Sequence, residues 1–471
     1  MKNIKKLLTA LLIIPTLLSP VFATVPEDVI LQNDEINTRD VSEKSSLGEK
    51  IRSIEEVSAG ETNSPKKQIE NYSPWAIKEL NEVQFMGIFP IERLNPDENF
   101  KSPATIEDLN TVFKLSKEKL AQAGIETGNF EFKNTTRLET LKSISALLKD
   151  EHKIKNLQDK KIFRGLVDDD YLNTDIPLQE MLALYKRAVS NKLEKENLTS
   201  KGFFYEVKNK NNTVYMLGSV HVGATKMYPV SREILNSLKK SSKIYMEIDL
   251  TKKDEIEAAN KKAYYDEEGL LKEDLGEDLY NRVVKIFENN GVPEENIKKL
   301  RPWAVYNNLS NNPNKSIAHA AYGVESYFLS QALVNNIPID QLETVDYQSQ
   351  VLADFNKEAY IEMIKGLVNE IEQNGYTNMD RSIDNLINAW IDGDDNTLLY
   401  LTTGGIGAQK EFSEALTSER DKNMAKKIDA LLKEDGKNTY FILVGSAHLV
   451  PTNSVTGILK NMGYNVVRKT V

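Results

Sequence analysis

Apolar positions recur with different spacing in two parts of the chain. Between residues 72 and 198 they return every three or four residues, which predicts amphipathic helices. From residue 202 onward, short apolar runs alternate with helical stretches. These runs lie at 203–207, 213–217, 243–248, 439–444 and 465–468. The pattern predicts a mainly helical region followed by an α/β domain with a central sheet and flanking helices.

Two of the predicted strands end in the same short motif. Residues 218–221 read Gly-Ser-Val-His, and residues 445–448 read Gly-Ser-Ala-His. Each motif is followed by a predicted helix, at 231–238 and 454–461, and then by another strand. Because the chain contains only four histidines, this repetition predicts two strand-GSxH-helix-strand halves that build one site.

The repeated histidines, His221 and His448, are predicted to lie at a ligand-binding edge of the sheet. Residues just beyond the carboxyl ends of strands in an open α/β sheet face the ligand crevice. We expect the glycine of each motif to let the backbone turn sharply as it leaves the strand. Glu247, near the end of a predicted strand, and Glu343, after a short apolar stretch, can reach the same edge. Two imidazoles and two carboxylates then converge.

These four side chains suit metal-assisted hydrolysis. Neutral imidazole nitrogens and a carboxylate bind divalent metals, so His221, His448 and Glu247 are the predicted metal ligands. A bound metal lowers the pKa of its water toward neutrality, and the second carboxylate, Glu343, serves as general base.

Other interpretations of these residue types stay open. A histidine after a strand is more often a hydrogen-bonded structural group, and we take this interpretation for His152 and His319, which lack a matched partner. Serine-based acyl transfer through Ser219 or Ser446, each two residues before a histidine, is the least favoured alternative. The sequence has neither an H-E-x-x-H motif nor a G-x-S-x-G motif, so the best-known zinc peptidase and esterase signatures are absent.

Composition narrows the class of protein further. The 471 residues include no cysteine and carry a formal net charge of −10, which excludes disulfides and zinc–thiolate sites and disfavours nucleic acid as a partner. Residues 1–23 combine a basic start, an apolar run and a small-residue cleavage site, which predicts a secretory signal peptide, with an uncleaved anchor as the alternative. Residues 24–71 are polar with scattered apolar positions, which predicts a disordered linker.

The helical region, residues 72–198, contains three similar loop-then-helix units. Trp75 with the alanine after it, and Thr-Arg-Leu-Glu at 136–139, resemble the signature of S-layer homology (SLH) repeats. The other two units lack the arginine. The resemblance implies that SLH-like repeats hold an anionic cell-wall polysaccharide through this basic residue. For Trp75 we favour a core position, and for Arg137 a solvated surface position is the alternative.

Further motifs surround the two histidine motifs. They are V-Y-M-L-G-S-V-H-V-G at 214–223, M-E-I-D-L at 246–250, R-P-W at 301–303, L-E-T at 342–344 and R-D at 420–421. In this order they resemble the TraB/GumN family, which is related to the Tiki metalloproteases, and the domain of this type covers residues 200–471. Glu325 is a departure, because the family usually has aspartate at that position.

The resemblance implies that His221, Glu247, Glu343 and His448 form the site. Arg420 is a further candidate for polarising a carbonyl, with a surface position at a helix start as the alternative. We therefore predict a secreted or cell-wall-associated bacterial protein that hydrolyses peptides with a divalent metal ion, for which manganese, cobalt and zinc are candidates. Family members are associated with peptide pheromone shutdown, so noncatalytic sequestration of a secreted peptide such as a pheromone is the alternative.

Overall fold

The structure is a computed structural model that describes residues 71–94, 98–312, 315, 320–403 and 408–471. The predicted signal peptide, the predicted linker up to residue 70, and His319 lie outside the described residues. The described residues divide into two compact units, one from residue 71 to Leu198 and the other from Thr199 to Val471.

The N-terminal unit is mainly helical. Its described helices are α1 (Ile77–Met86), α2 (Ile106–Gln122), α3 (Arg137–Leu147), α4 (Ile154–Asp159), α5 (Asp169–Leu172) and α6 (Leu178–Lys195). The segments leading into α2, α3 and α6 pair through isolated antiparallel bridges, Pro103 with Pro177 and Thr136 with Asp175. These bridges tie the starts of the three longest helices of the unit together.

Local side chains set the ends of these helices. Thr105 caps α2 in a reciprocal capping box with Asp108, and the Thr136 side chain accepts the N–H of Glu139 in the first turn of α3. Gly87 ends α1 in the left-handed conformation, with φ of 64°.

Trp75 and Arg137 take positions opposite to those expected from sequence. Trp75, expected in the core, is 49% exposed, and the core interpretation is wrong. Arg137 is buried rather than solvated. Its Nη2 lies 2.8 Å from Glu180 Oε2, and its guanidinium stacks over the Tyr171 ring, 4.3 Å from the ring centroid. The arginine therefore links the start of α3 to α6 through its ion pair with Glu180.

The C-terminal unit is built around a mixed sheet. Its described strands are β1 (Phe203–Asn209), β2 (Asn212–Ser219), β3 (Lys243–Met246), β4 (Ile339–Gln341), β5 (Thr439–Gly445) and β6 (Val466–Arg468). Their order across the sheet is β4-β3-β5-β2-β1-β6. Strands β4, β3, β5 and β2 run parallel, whereas β1 is antiparallel to both β2 and β6. The predicted α/β architecture of this part of the chain is confirmed.

Helices flank this sheet. In the described part of the unit they are α7 (Arg232–Lys240), α8 (Lys253–Lys261), α9 (Leu270–Leu275), α10 (Glu277–Asn289), α11 (Pro302–Leu309), α12 (Val324–Val334), α13 (Val345–Asp354), α14 (Lys357–Asn374), α15 (Thr377–Asp392), α16 (Asp395–Thr403), α17 (Ala408–Lys433) and α18 (Val455–Asn461). Their cover explains why central β5 reads as a continuous apolar run rather than an alternating one. None of the helices in the described residues is long and apolar enough to cross a membrane.

Both Gly-Ser-x-His segments are followed by a helix and a strand, but the two strands take different places. Helix α7 leads from β2 to β3, which lies beside β5. Helix α18 leads from β5 to β6, which lies at the opposite edge of the sheet and pairs with β1. Strand β1 thus separates β2 from β6, and the two halves are similar in element order without being equivalent in the sheet.

Candidate active site

The predicted site residues lie together at the carboxyl ends of the parallel strands. His221 follows β2, Glu247 follows β3, Glu343 follows β4 and His448 follows β5. Arg420 reaches the same place from α17. All five residues are buried, with between 1% and 8% of their surface exposed. His152 lies in the N-terminal unit, where its Nδ1 is 3.4 Å from Ser145 Oγ, and takes no part in this cluster.

The register of the strands causes this convergence. Strands β2 and β5 pair in parallel with Ser219 opposite Gly445, so the two histidine motifs leave the sheet side by side. Beyond β3 and β4, the N–H of Glu343 donates to the carbonyl of Glu247 at 2.9 Å. This bond continues the parallel pairing past the strand ends and holds the two glutamates next to each other.

The motif glycines act differently from the prediction. Gly218 lies within β2, and Gly445 has φ of −52°, so neither adopts the left-handed conformation and the predicted sharp glycine turn is wrong. A Cβ at position 218 would lie 2.9 Å from Ser446 Oγ and 3.0 Å from Ser446 Cα. Gly218 is therefore required for close packing of the two motifs.

Arg420 bridges the two glutamates from inside a helix. It lies in the interior of α17 and is 1% exposed, so the alternative of a surface arginine at a helix start is wrong. Its Nε donates to Glu343 Oε2 at 2.8 Å, its Nη2 donates to Glu247 Oε1, and its Nη1 donates to the Leu416 carbonyl at 3.1 Å. One guanidinium thus neutralises much of the charge of two buried carboxylates.

Glu247 is the most heavily hydrogen-bonded carboxylate of the cluster. Besides Arg420, its Oε1 accepts from Gln348 Nε2 at 2.6 Å, and its Oε2 accepts from the Gly445 N–H at 2.9 Å. Burial by itself raises the pKa of Glu247, but the charges of Arg420 and the two histidines, together with the Gly445 N–H, lower that pKa to about 2. Glu247 is therefore ionised at neutral pH.

Glu343 has the opposite electrostatic character. Burial raises its pKa, the neighbouring charge of Glu247 adds to that rise, and Arg420 opposes it without cancelling it. Its Oε1 is buried and has no hydrogen-bond partner among the described residues. A carboxylate with a raised pKa and one free oxygen is suited to accept a proton from a water molecule.

His221 is backed by Glu325, a residue at the start of α12. The His221 Nδ1 lies 2.8 Å from Glu325 Oε1, a hydrogen-bond length, although the two groups are not aligned as a regular hydrogen bond. Burial lowers the pKa of His221, but the carboxylates of Glu325 and Glu247 more than offset this, and the pKa is raised.

His448 is backed by a carboxylate in the same way. Its Nδ1 lies 2.5 Å from Asp421 Oδ1, and its Nε2 is 3.9 Å from Glu247 Oε1. Burial raises the pKa of Asp421, and the hydrogen bond with His448 opposes that rise. Each imidazole in the cluster thus has its Nδ1 against one carboxylate.

Sequence reasoning did not assign Glu325, Asp421 and Gln348 to the site. Asp421 directly follows Arg420 in the R-D motif, Glu325 is the position that departs from the family, and Gln348 lies four residues after the L-E-T motif. Proximity to those motifs was therefore the available signal. Their roles depend on which helices pack against the sheet edge, and hydrophobic periodicity does not encode that packing.

A small pocket opens beside His221 and Glu247. It is also lined by Glu325, Gln348 and the apolar residues Met246, Ile248 and Leu250, and it has a volume of about 10 Å³. That is roughly the space one water molecule needs. This pocket therefore has room for about one water molecule.

The two motif serines are not arranged as nucleophiles. Ser446 Oγ donates to the Ser219 carbonyl at 2.8 Å. Ser219 Oγ is buried and has no hydrogen-bond partner within the described residues. Neither hydroxyl contacts a general base, so the geometry gives no support to serine-based acyl transfer.

The cluster contains the donor types of a divalent-metal site, but Arg420 occupies part of the space. No group of three histidine, aspartate or glutamate residues in the described part of the chain is spaced so that it could hold a metal ion. The donor chemistry nevertheless fits a metal, because imidazoles whose Nδ1 faces a carboxylate are typical of ligands that bind through Nε2. Use of Glu247 as a ligand would require its Oε1 to part from Arg420.

The fold and this site define an α/β domain with a buried cluster of two imidazoles, two glutamates and an arginine at the carboxyl ends of parallel strands. The sequence model of the TraB/PrgY/gumN family matches residues 203–468. The chain belongs to the TraB/PrgY/gumN family. No curated protein and no solved structure matches the chain.

Proposed function

We propose that the protein is a metal-dependent hydrolase that acts on peptides. The observation that supports this proposal is the buried cluster itself, in which two carboxylate-backed imidazoles adjoin an ionised Glu247 and a Glu343 of raised pKa. His221, His448 and Glu247 are the proposed ligands of a divalent metal such as manganese, cobalt or zinc. When bound, that metal would supply Lewis acidity and a water of lowered pKa.

The remaining residues have separate proposed roles. Glu343 accepts a proton through its free Oε1. Arg420 is the proposed cationic group that polarises the substrate carbonyl, because its guanidinium adjoins both glutamates. Gln348 and the Gly445 N–H hold Glu247 in place by donating to its two oxygens.

The test measures metal and cleavage on the same protein. The full chain is titrated with Mn²⁺, Co²⁺ and Zn²⁺ by calorimetry and incubated with a peptide library that is analysed by mass spectrometry. We expect His221→Ala and His448→Ala to abolish metal binding and cleavage, whereas the control His152→Ala leaves both unchanged. If the two cluster variants bind metal and cleave peptides like wild type, the proposal is wrong.

One observation favours a second candidate function, noncatalytic capture of a peptide. Arg420 already neutralises Glu247 and Glu343, and the described residues contain no group of three histidine, aspartate or glutamate side chains spaced to hold a metal ion. A family domain of this kind could sequester a secreted peptide, such as a pheromone, without cleaving it. Mass spectrometry separates the two functions, because a captured peptide returns intact.

The proposed location is the outside of a bacterial cell, at or near the wall. Residues 1–23 support export, and the helical unit supports an SLH-like domain that contacts wall polysaccharide. Arg137 is not the proposed contact, because Glu180 and Tyr171 already hold its guanidinium. N-terminal sequencing of protein recovered from culture medium and cell walls tests export, and cosedimentation with purified walls tests binding.

A further inference from the structure

We infer that Glu325 and Asp421 are positioning residues that fix the proton of each site imidazole on Nδ1. His221 and His448 are then left with Nε2 as the nitrogen that carries the free lone pair. The inference deepens the proposed function, because Nε2 is then the atom that binds a metal or accepts a proton. The tautomer itself can be measured whether or not the protein is a hydrolase.

The Asp421–His448 contact is the shorter of the two. Asp421 Oδ1 lies 2.5 Å from His448 Nδ1, and both residues are buried. An ionised carboxylate only accepts hydrogen bonds, so when Asp421 is ionised the Nδ1 atom is the donor. In the neutral ring, the second nitrogen then has no proton. His448 Nε2, which is 3.9 Å from Glu247 Oε1, is therefore the nitrogen turned toward the centre of the cluster.

The backbone around Glu325 is held against the strand end that carries His221. The N–H of Val324 donates to the Val220 carbonyl at 3.1 Å. A Cβ on Gly323 would lie 2.5 Å from the His221 carbonyl oxygen, so only glycine permits this approach. The hydroxyl of Tyr228 donates to the Tyr322 carbonyl at 2.7 Å. These contacts place the first turn of α12 at the His221 ring.

The burial of Glu325 indicates what its carboxylate contacts. Apart from the 2.8 Å approach to His221, neither of its oxygens has a hydrogen-bond partner among the described residues. A buried carboxylate without a donor is strongly destabilising. The His221 Nδ1–H is the donor placed to relieve this cost, since that atom also has no other partner in the described structure. Glu325 Oε1 and His221 Nδ1 therefore face each other at 2.8 Å as the available partners.

The two carboxylates come from unrelated elements. Glu325 is at the start of α12, whereas Asp421 lies within α17. Both nevertheless reach Nδ1 of a histidine that follows a Gly-Ser-x motif. Two independent elements thus converge on the same arrangement, in which an acid orients each imidazole in the way that second-shell carboxylates orient histidine ligands.

The experiment records long-range ¹H–¹⁵N NMR spectra of the histidine rings in the full chain over a pH titration. These spectra show which ring nitrogen carries the proton. The chain has only four histidines, and the signals are assigned with His221→Asn and His448→Asn. We expect both site rings, in their neutral form, to carry the proton on Nδ1. Glu325→Gln and Asp421→Asn should each move the proton of the facing ring to Nε2, because an amide NH₂ can donate to Nδ1.

Matched variants separate loss of the orienting carboxylate from general destabilisation of the unit. Glu325→Asp keeps the carboxylate and should restore the Nδ1–H tautomer, whereas Glu362→Gln removes an exposed carboxylate of the same unit and should change nothing. Where metal binding is detected, Glu325→Gln and Asp421→Asn should weaken it roughly 10- to 100-fold. The inference is overturned if either wild-type site ring keeps a proton on Nε2 throughout the titration. That result needs no metal or substrate, so it is distinct from failure of the proposed function.

Discussion

Replacing Arg420 with methionine should destabilise the C-terminal unit strongly. The substitution removes the cation that pairs with Glu247 Oε1 and Glu343 Oε2, while all three side chains are at most 9% exposed. Breaking a buried ion pair from one side costs about 3–5 kcal/mol, because it leaves the partner charge uncompensated. In a unit of this size we expect a fall in melting temperature of roughly 6–20 °C.

The chain offers a probe confined to this unit. Of its three tryptophans, Trp303 and Trp390 are buried in the C-terminal unit and Trp75 is in the N-terminal unit. In a Trp75→Phe background, tryptophan fluorescence during urea or thermal unfolding therefore reports the C-terminal unit alone. Lys422→Met, which removes an exposed charge on the same helix, is the control and should change stability by less than about 0.5 kcal/mol.

Two further measurements test the physical cause. Because the pKa of Glu343 is raised already and Arg420 holds it down, Arg420→Met should raise it further, and the destabilisation should shrink as pH falls and Glu343 takes up a proton. Adding Glu247→Gln and Glu343→Gln should recover much of the lost stability at neutral pH. The reasoning is refuted if Arg420→Met is no more destabilising than the control, or if neutralising both glutamates brings no recovery.

Three other predictions follow from named contacts. Folding lowers the pKa of Glu247 from 4.5 to about 2, so its ionised form stabilises the fold above pH 4.5 and that contribution is lost as pH falls toward 2. The melting temperature of Glu247→Gln should therefore vary less with pH than that of wild type between pH 4.5 and 2. An equal pH dependence of the two melting temperatures would contradict the lowered pKa of Glu247. Trp390→Phe removes the indole N–H that donates to the Gly218 carbonyl at 2.8 Å and should cost about 1–3 kcal/mol in urea unfolding, whereas an unchanged midpoint would show that this bond contributes little. Arg137→Met should lower the stability of the N-terminal unit by about 1–3 kcal/mol through loss of its contact with Glu180. Unfolding of this unit is followed as the difference between the fluorescence of chains with and without Trp75→Phe, and a further Glu180→Gln change should add little if the two residues act as a pair.

The C-terminal fold was largely predictable, because short apolar runs alternate with helical stretches along the chain and both histidine motifs follow such runs. In a parallel sheet, the carboxyl ends of strands meet at one edge, which is why the strand pattern alone was enough to put His221 and His448 near Glu247. The predicted helix at 454–461 also lies within one residue of α18.

The features that were not predictable depend on packing between distant elements. The burial of Arg420 arises from the position of α17 over the strand ends, and nothing in the local pattern distinguishes it from a surface arginine. Gly218 resembles a turn glycine in sequence, yet its role is to admit Ser446. Trp75 is exposed although its residue type favours burial. Propensity and periodicity report local structure and contain little information on such contacts.

The central position of β5 has a consequence for how the protein is made. This strand follows β1 to β4 in the chain, yet it lies between β2 and β3 and supplies the N–H that anchors Glu247. A nascent chain that still lacks β5 has no strand to join those two, so the cluster cannot assemble before β5 has been synthesised. Any chemistry carried out by this domain therefore waits for β5, and a product cut short before β5 should be inert rather than partly active.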